Sequence, residues 1–318
     1  MAAIGKDILL SAKLLTEGKL VAIPTETVYG LAANALDAIA VAKIFEVKNR
    51  PYFDPLILHT YSLEKAMEYV NDFNEPLKKL AKTFWPGPLT ILIPKKNNIP
   101  DIVTSGLQNV AIRVPNHPMT LALLQKINFP LAAPSANPFG YISPTEAAHV
   151  EKQLGKNIEY ILDGGICKVG LESTIVGLEE GKICIYRFGG LTIEEIESLI
   201  GKVEIKINSS VNPNSPGQLK NHYSPSKILL IGDIEKLLNE NKNKKAGIIC
   251  FGKIPEKLKN NFTINLSGDG NLAEAAANLF SALRKLDESE CEVIICSLLP
   301  NNGLGLAIND RLKRAAIK

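Results

Sequence analysis

The sequence predicts an α/β protein: an open, twisted mixed sheet with flanking helices, followed by a smaller C-terminal α/β domain. Three observations carry this reading. Through residue 205 short apolar runs alternate with helical stretches, strands outnumber helices, and no clean parallel repeat emerges. A segment over 206–226, rich in Asn, Ser and Pro, then breaks the texture as a linker would. Beyond it, over 227–318, compact strand–helix alternation resumes. The chain has 318 residues, 46% apolar and 22% charged, which allows one or two full cores and excludes a mainly disordered polymer.

The elements follow in order. The N-terminal MAAIGKDILLSAKLLTEG reads as an amphipathic helix stopped at Gly18. Lys6 and Asp7 interrupt what a secretory signal would need as an apolar stretch, no cleavage site follows, and no run approaches a membrane span. A soluble, cytoplasmic protein is expected. KLVAIPT (19–25) reads as a strand, and AIAVAKIFEVKN (38–49) as a helix stopped by Pro51. DPLILHT, PLTILIP, VAIRVP, LAAPSAN, EYILDGG, STIVGL and KICIYRFG continue as strands. In the C-terminal part KILLIG, AGIICFG, NFTINL and EVIICSLLP are strands, and LAEAAANLFSALRKLD (272–287) is a long helix.

Charge and cysteine content narrow the function classes. Residues 1–205 carry 20 Lys/Arg against 22 Asp/Glu, and residues 206–318 carry 16 against 11, a mild C-terminal excess that does not by itself mark a nucleic-acid surface. The five cysteines form no CxxC or CxxH pair, which disfavours a disulfide scaffold or a zinc site and predicts buried small hydrophobes. Gly268-Asp-Gly270-Asn-Leu-Ala273 fits GxGxxA between a strand and a helix, but the acid expected after the next strand is missing. A turn capped by Ser267, Asp269 or Asn271 explains it equally well.

The polar residues of the first part are more informative because they sit where strands end, which is where open α/β sheets bind ligands. Thr25 and Thr27 directly follow an apolar strand, with Gly30 behind them. Lys48 and Arg50 close a helix, where they complement its dipole or grip a polyphosphate, and Asp54 and His59 follow at once. In VAIRVP the apolar face is Val110, Ile112 and Val114, so Arg113 shares the other face with Ala111 and is either solvated or aimed at an anion. Ser135 and Asn137 lie in Pro134-Ser135-Ala-Asn137-Pro138, a run of small or rigid residues. Ser143-Pro-Thr-Glu146 reads as a capping box with Pro at the first helical position. Ser173 and Arg187 stand beside glycines at further strand ends. Three arginines, a lysine, one histidine and many hydroxyls, without a Ser-His-Asp arrangement or metal cluster, point to phosphoryl or nucleotidyl transfer by positioning and electrostatics.

PTETVYGL, KNRP..DPL.LH, FWPGPLT, VAIRVPNHP, APSANPFG..SPT, GLESTIV and YRFG, in this order, resemble the YrdC-type threonylcarbamoyl-AMP synthases. SPG..KNHYSP and the late NDRLKRAA resemble their long two-domain form, so the likeness covers essentially the whole chain. The resemblance implies a YrdC-like catalytic domain over 1–205, a linker acting as a lid over 206–226, and a Rossmann-like domain over 227–318. It implies a nucleotidyltransferase that converts L-threonine, bicarbonate or CO₂, and ATP accompanied by Mg²⁺ into threonylcarbamoyl-AMP and pyrophosphate. A partner transferase would then modify tRNA. On the family pattern Thr27, His59, Arg113, Ala133 and Ser173 would hold threonine. Lys48, Arg50, Ser135 and Asn137 would be catalytic, and Arg50, Asp54, Asn109, Ser135, Ser143, Arg187 and Tyr223 would surround ATP. Asp54 stands where the family commonly has Asn, a carboxylate whose charge Mg²⁺ or Lys48 would offset; Asn109 stands where Thr is frequent. Ser215-Pro-Gly217 and His222-Tyr223 would cover the opening and exclude water. The rival readings are a non-catalytic RNA-binding module of the same fold and a carbamoyltransferase of the hydrogenase-maturation kind; the latter's CxxC fingers are absent from the sequence.

Overall fold

The computed structural model describes residues 1–71, 73–207, 222–258 and 262–317. Its first eleven strands are β1 (Ala3–Gly5), β2 (Val21–Ile23), β3 (Gly30–Asn34), β4 (Ile57–His59), β5 (Leu89–Pro94) and β6 (Asn109–Arg113), then β7 (Leu131–Ala132), β8 (Tyr160–Leu162), β9 (Thr174–Glu179), β10 (Lys182–Arg187) and β11 (Glu204–Ile205). They form one mixed sheet in the order β1-β8-β2-β3-β7-β4-β6-β5-β9-β10-β11. Four more, β12 (Ile228–Ile231), β13 (Ala246–Cys250), β14 (Phe262–Asn265) and β15 (Val293–Cys296), form an all-parallel sheet in the order β12-β15-β13-β14. Among the described residues no helix is long and apolar enough to cross a membrane.

Strand alternation sorts the large sheet's two faces. Val110 and Ile112 of β6 enter the main core with Leu58, Ile91, Ile93, Val176 and Ile185. The opposite face carries Ala111, Ile57, Leu92 and Ile175 as a smaller cluster, with Arg113 in the same parity. Because β4 and β6 are parallel with His59 opposite Arg113, both side chains emerge together on that face. β5 runs antiparallel to β6 and parallel to β9, which brings the residue before β9, Ser173, to the same end. β10 returns antiparallel to β9 and ends there at Arg187.

Most local expectations hold at the residue level. The first helix, Ile8–Thr16, is followed by Gly18 at φ +69°, and Asp7 caps its start. The helix Ala38–Lys48 ends on Asn49 in the left-handed region. All five cysteines are buried and unpaired. The GxGxxA segment is a cap: Asn271 accepts from the amides of Ala273 and Glu274 at the head of helix Leu272–Glu288. One expectation fails. Ser143 and Glu146 form no capping box; the helix starts later, at Ala147, with no side-chain cap. The Ser143 hydroxyl instead donates to Glu172 at 2.6 Å, and Glu146 pairs with His149 at 3.1 Å.

The two sheets share packing. Val28, Ile142, Leu171 and Tyr223 belong to the same apolar cluster as Leu279, Phe280, Leu283 and Ile308 of the C-terminal helices. Arg284 donates to the carbonyls of Ile142 and Ser143 and to Gln153 Oε1, and Tyr141 donates to Asp287 at 2.6 Å. Gly170, at φ +72°, lies so close to helix Leu272–Glu288 that a Cβ would come within 2.5 Å of the Ala277 Cα. Gly170→Ala therefore combines a left-handed backbone with overpacking and is expected to cost about 3 kcal/mol. Urea unfolding of the full chain checks this; a loss below about 1 kcal/mol would mean that the contact yields freely.

Candidate anion-binding cavity

A cleft of about 590 Å³, counted out to its open mouth, lies on the polar end of the sheet face just described. Its lining includes Thr27, Arg50, His59, Arg113, Ala133, Ser135, Ser173, Arg187 and Tyr223, nine of the residues singled out in the sequence. Thr25, Glu172 and His222 join them. All three arginines of the chain's first 205 residues are therefore gathered here, each at least nine-tenths buried.

Each arginine is held in place by its own neighbourhood. Arg113 donates through Nε to the Gly87 carbonyl at 3.1 Å and through Nη1 to Thr27 Oγ1 at 2.9 Å, while Nη2 lies 2.7 Å from Glu26 Oε1. The turn that leaves β2 supplies both partners: Thr25 Oγ1 contacts Thr27 Oγ1 and the Val28 carbonyl, folding Glu26 inward. The other Glu26 oxygen accepts from the Asn116 amide at 3.0 Å. Arg50 follows the left-handed Asn49. It donates to the carbonyls of Asp54 and Pro55 at 3.0 and 2.8 Å and pairs with Asp54 Oδ2 at 2.9 Å. Arg50 thus offsets the Asp54 carboxylate directly, and the nearby Lys48 charge adds to it. Arg187 donates to the backbone carbonyl and hydroxyl of Ser173, both at 3.0 Å, and Ser173 also contacts Thr90 Oγ1 at 2.6 Å.

Four predicted site residues stand behind this wall. Lys48 is fully buried, and its ammonium donates to the carbonyl of Ser135 at 2.5 Å and to that of Asn137. Asn137 donates to the carbonyls of Pro138 and Tyr141. Both brace the loop that presents Ser135. Asp54 and Ser143 are likewise buried, on Arg50 and Glu172 respectively. Asn109 is not brought into the set: it is exposed at the opposite end of β6, roughly 13 Å along the strand from Arg113, beside Gln108, Glu179 and Tyr186. Of the expected lid, His222 and Tyr223 line the cavity, whereas Ser215-Pro-Gly217 lies outside the described residues.

Burial dominates the electrostatics. It lowers Lys48 well below the ordinary lysine value, aided by the Arg50 charge. It lowers Arg187 to about 10, against the pull of Tyr223 and Glu172, so the guanidinium stays charged at neutral pH. Burial, together with neighbouring cations, also holds His222 well below its usual range, and it pushes the Tyr223 phenol up to about 12. Among the described residues no group of three or more His, Cys, Asp or Glu is placed to hold a metal ion. The carboxylates of Glu26, Asp54 and Glu172 are taken by Arg113, Arg50 and Arg311. Sequence reasoning missed Glu26, Glu172 and Arg311 as members of the site. All three lay inside quoted motifs, Arg311 in NDRLKRAA, but nothing in their spacing marks which arginine meets which carboxylate.

Fold and cavity together define a class: an α/β protein whose sheet presents a buried row of cations to an anionic ligand. Comparisons with known proteins place the chain within it. Residues 13–189 match the Sua5–YciO–YrdC family, described as telomere recombination, and residues 191–317 match the threonylcarbamoyl-AMP synthase C-terminal domain. A threonylcarbamoyl-AMP synthase from Pyrococcus abyssi is 42% identical, over 96% of this chain and 93% of its own length. One from Bacillus subtilis is 38% identical over 96% and 92%. The crystal structure of P. abyssi Sua5 complexed with L-threonine superposes with a TM-score of 0.92 at 38% identity, covering 99% of this chain and 97% of that one. Escherichia coli YciO shares the fold of the first part, with a TM-score of 0.54 at 19% identity over 59% of this chain. The chain belongs to the Sua5/YrdC family, in its two-domain form.

His59 offers a pH test of the cavity's burial. Desolvation, reinforced by the Arg113 charge, pushes it down to about 3 from the usual 6.5, so the folded imidazole is neutral at neutral pH. The unfolded chain takes up this proton near pH 6.5 while the folded one refuses it, so stability is lost as the pH falls from there toward 3. Between pH 7.5 and 5 this residue accounts for about 2 kcal/mol of loss. Denaturant unfolding of wild type and His59→Asn at both pH values should show a loss smaller by that amount in the variant. Equal losses would contradict the assignment.

Proposed function

We propose that the chain is a threonylcarbamoyl-AMP synthase, joining L-threonine, bicarbonate or CO₂, and ATP into threonylcarbamoyl-AMP with release of pyrophosphate. The observation that carries this is the gathering of Arg50, Arg113 and Arg187 on one buried cavity wall. The substrates bear a carboxylate and a triphosphate, which need fixed cations at two separated places. The Pyrococcus abyssi relative named for its complex with L-threonine supports the amino-acid half of the reading.

The threonine carboxylate faces Arg113, with Thr27, His59, Ala133 and Ser173 around the rest of the molecule. Neutral His59 accepts or donates one hydrogen bond without adding charge. The threonine nitrogen adds to the carbon of CO₂ and loses a proton, giving a carbamate; from bicarbonate that proton instead leaves with the displaced hydroxide as water. A carbamate oxygen attacks the α-phosphorus of ATP, and the bond from that phosphorus to the bridging oxygen breaks as pyrophosphate leaves. Arg50 and Arg187 stabilise the triphosphate and the charge that develops on the leaving group. Lys48 and Asn137 act by holding the loop of Ser135 rather than by touching the phosphates. Mg²⁺ would be held through the triphosphate and would offset its charge, and Tyr223 closes the nucleotide side. Exclusion of water by His222 and Tyr223, which line the cleft, suits a labile acyl-adenylate. Its consumer is a transferase that passes the threonylcarbamoyl group to tRNA.

Pyrophosphate release from Mg²⁺–ATP, measured with L-threonine, L-serine or no amino acid and with or without bicarbonate, tests the reading. Release should require both threonine and bicarbonate. Arg50→Ala should lower the rate on the order of 10²- to 10³-fold, as removal of one preorganised donor does elsewhere. A variant within a few-fold of wild type would remove Arg50 from its role.

A further inference from the structure

Arg311 lies on the last helix, Leu304–Ala315, 139 residues beyond Glu172, yet its side chain is completely buried against the cavity wall. Nε donates to Glu172 Oε2 at 2.9 Å, Nη2 to the Phe188 carbonyl at 2.8 Å, and Nη1 to Asp310 Oδ2 at 2.9 Å. The guanidinium carbon sits 5.0 Å from the centre of the Tyr223 ring, which also stacks on Phe280 at 5.7 Å and meets the His222 ring edge-on at 4.1 Å. The second oxygen of Glu172 accepts from Ser143. Glu172 and Tyr223 both line the cavity, and Arg311 does not. Among the described residues the C-terminal helix thus meets the cavity lining through Glu172 and Tyr223, with Ile308 and Leu312 in the same apolar cluster as the lining residue Val28.

Among the described residues Glu172 is the one cavity-lining carboxylate, and it stands beside cations that the triphosphate needs. Unpaired, it would subtract from their field and repel the nucleotide. Paired with Arg311, its charge is offset and its direction fixed by a two-ended grip. Burial opposes the charge on Arg311, but Tyr223, Glu172 and Asp310 overcome it and hold the guanidinium above its ordinary range.

We propose that Arg311 is a positioning residue of the nucleotide half of the site: it neutralises and aims Glu172 and fixes the ring of Tyr223. The inference rests on the reading of the cavity as an ATP site. It gives the C-terminal domain a task that a one-domain relative covering only the first part of the chain must meet differently. Arg113 is held separately by Glu26 and Thr27, so the threonine half should be largely indifferent to Arg311.

The test measures KM for ATP and for L-threonine, kcat, and Mg²⁺–ATP affinity by calorimetry on the full-length protein. Wild type is compared with Arg311→Ala, Arg311→Lys and Arg311→Ala combined with Glu172→Gln. Arg311→Ala should weaken ATP binding on the order of 10- to 100-fold, with KM for threonine changed by about threefold or less. Adding Glu172→Gln should recover most of the ATP affinity, since it removes the unpaired charge and still accepts from Ser143. Arg311→Lys keeps the charge without the fork or the stacking and should fall between. If Arg311 merely supported the fold, kcat and both KM values would worsen together and Glu172→Gln would rescue nothing; that result, or unchanged ATP affinity in Arg311→Ala, overturns the proposal. A wild-type protein that binds no ATP overturns the reading of the site itself. A wild type that binds ATP, beside an unaffected Arg311→Ala, overturns only the role of Arg311.

Discussion

The burial of arginine guanidiniums against carboxylates is the interaction on which the rest of this structure depends. Arg50 with Asp54, Arg113 with Glu26 and Arg311 with Glu172 are pairs at 2.7–2.9 Å, formed by side chains almost wholly removed from water. Such pairs are poor sources of stability, because desolvating both ions costs about as much as their attraction returns. What they supply is position. A cation on a flexible exposed chain would have to be ordered when a ligand arrives. Here that ordering has been completed during folding, and carbonyls of Gly87, Asp54, Pro55 and Phe188 complete each fork. The fold then concentrates the result, since one parallel pairing and one antiparallel return bring the ends of β4, β6 and β10 to the same place.

The two parts of the chain are joined at this same place. Arg284 grips the carbonyls of Ile142 and Ser143, Gly170 lets a loop touch the backbone of a C-terminal helix, and Arg311 takes Glu172. All three contacts fall on loops that carry or flank cavity residues. The small parallel sheet is therefore a support placed behind the site, and its own GxGxxA segment is an ordinary helix cap. His222 and Tyr223 meet the same interface, with Tyr223 lodged between Phe280 and Arg311 and facing the cleft.

Much of this was legible in the sequence because strands have a two-residue period. The alternation of Val110, Ile112 and Val114 was enough to place Arg113 opposite the core, and the same logic gathered Thr27, His59, Ser173 and Arg187 at strand ends. Partnership was less legible. Ser143-Pro-Thr-Glu146 has the spacing of a capping box, but its hydroxyl is recruited by a carboxylate 29 residues away. Lys48 has the chemistry of a phosphate ligand, but two backbone carbonyls capture its ammonium. Asn109 begins the strand that Arg113 ends, so the two point to distant places. Arg311 is the extreme case: it lies in the NDRLKRAA motif, and only the tertiary fold reveals the acid it serves.

A crystal structure with L-threonine and a non-hydrolysable ATP analogue tests the central claim most directly. On this account Arg50 and Arg113 keep their carboxylate partners and side-chain conformations. The amino-acid carboxylate meets Arg113, and the phosphates meet Arg50 and Arg187, with no guanidinium displaced by more than about 1 Å. Arginines that leave Asp54 or Glu26 to follow the ligands, or ligands bound outside this wall, would contradict a site whose cations are set in place by folding.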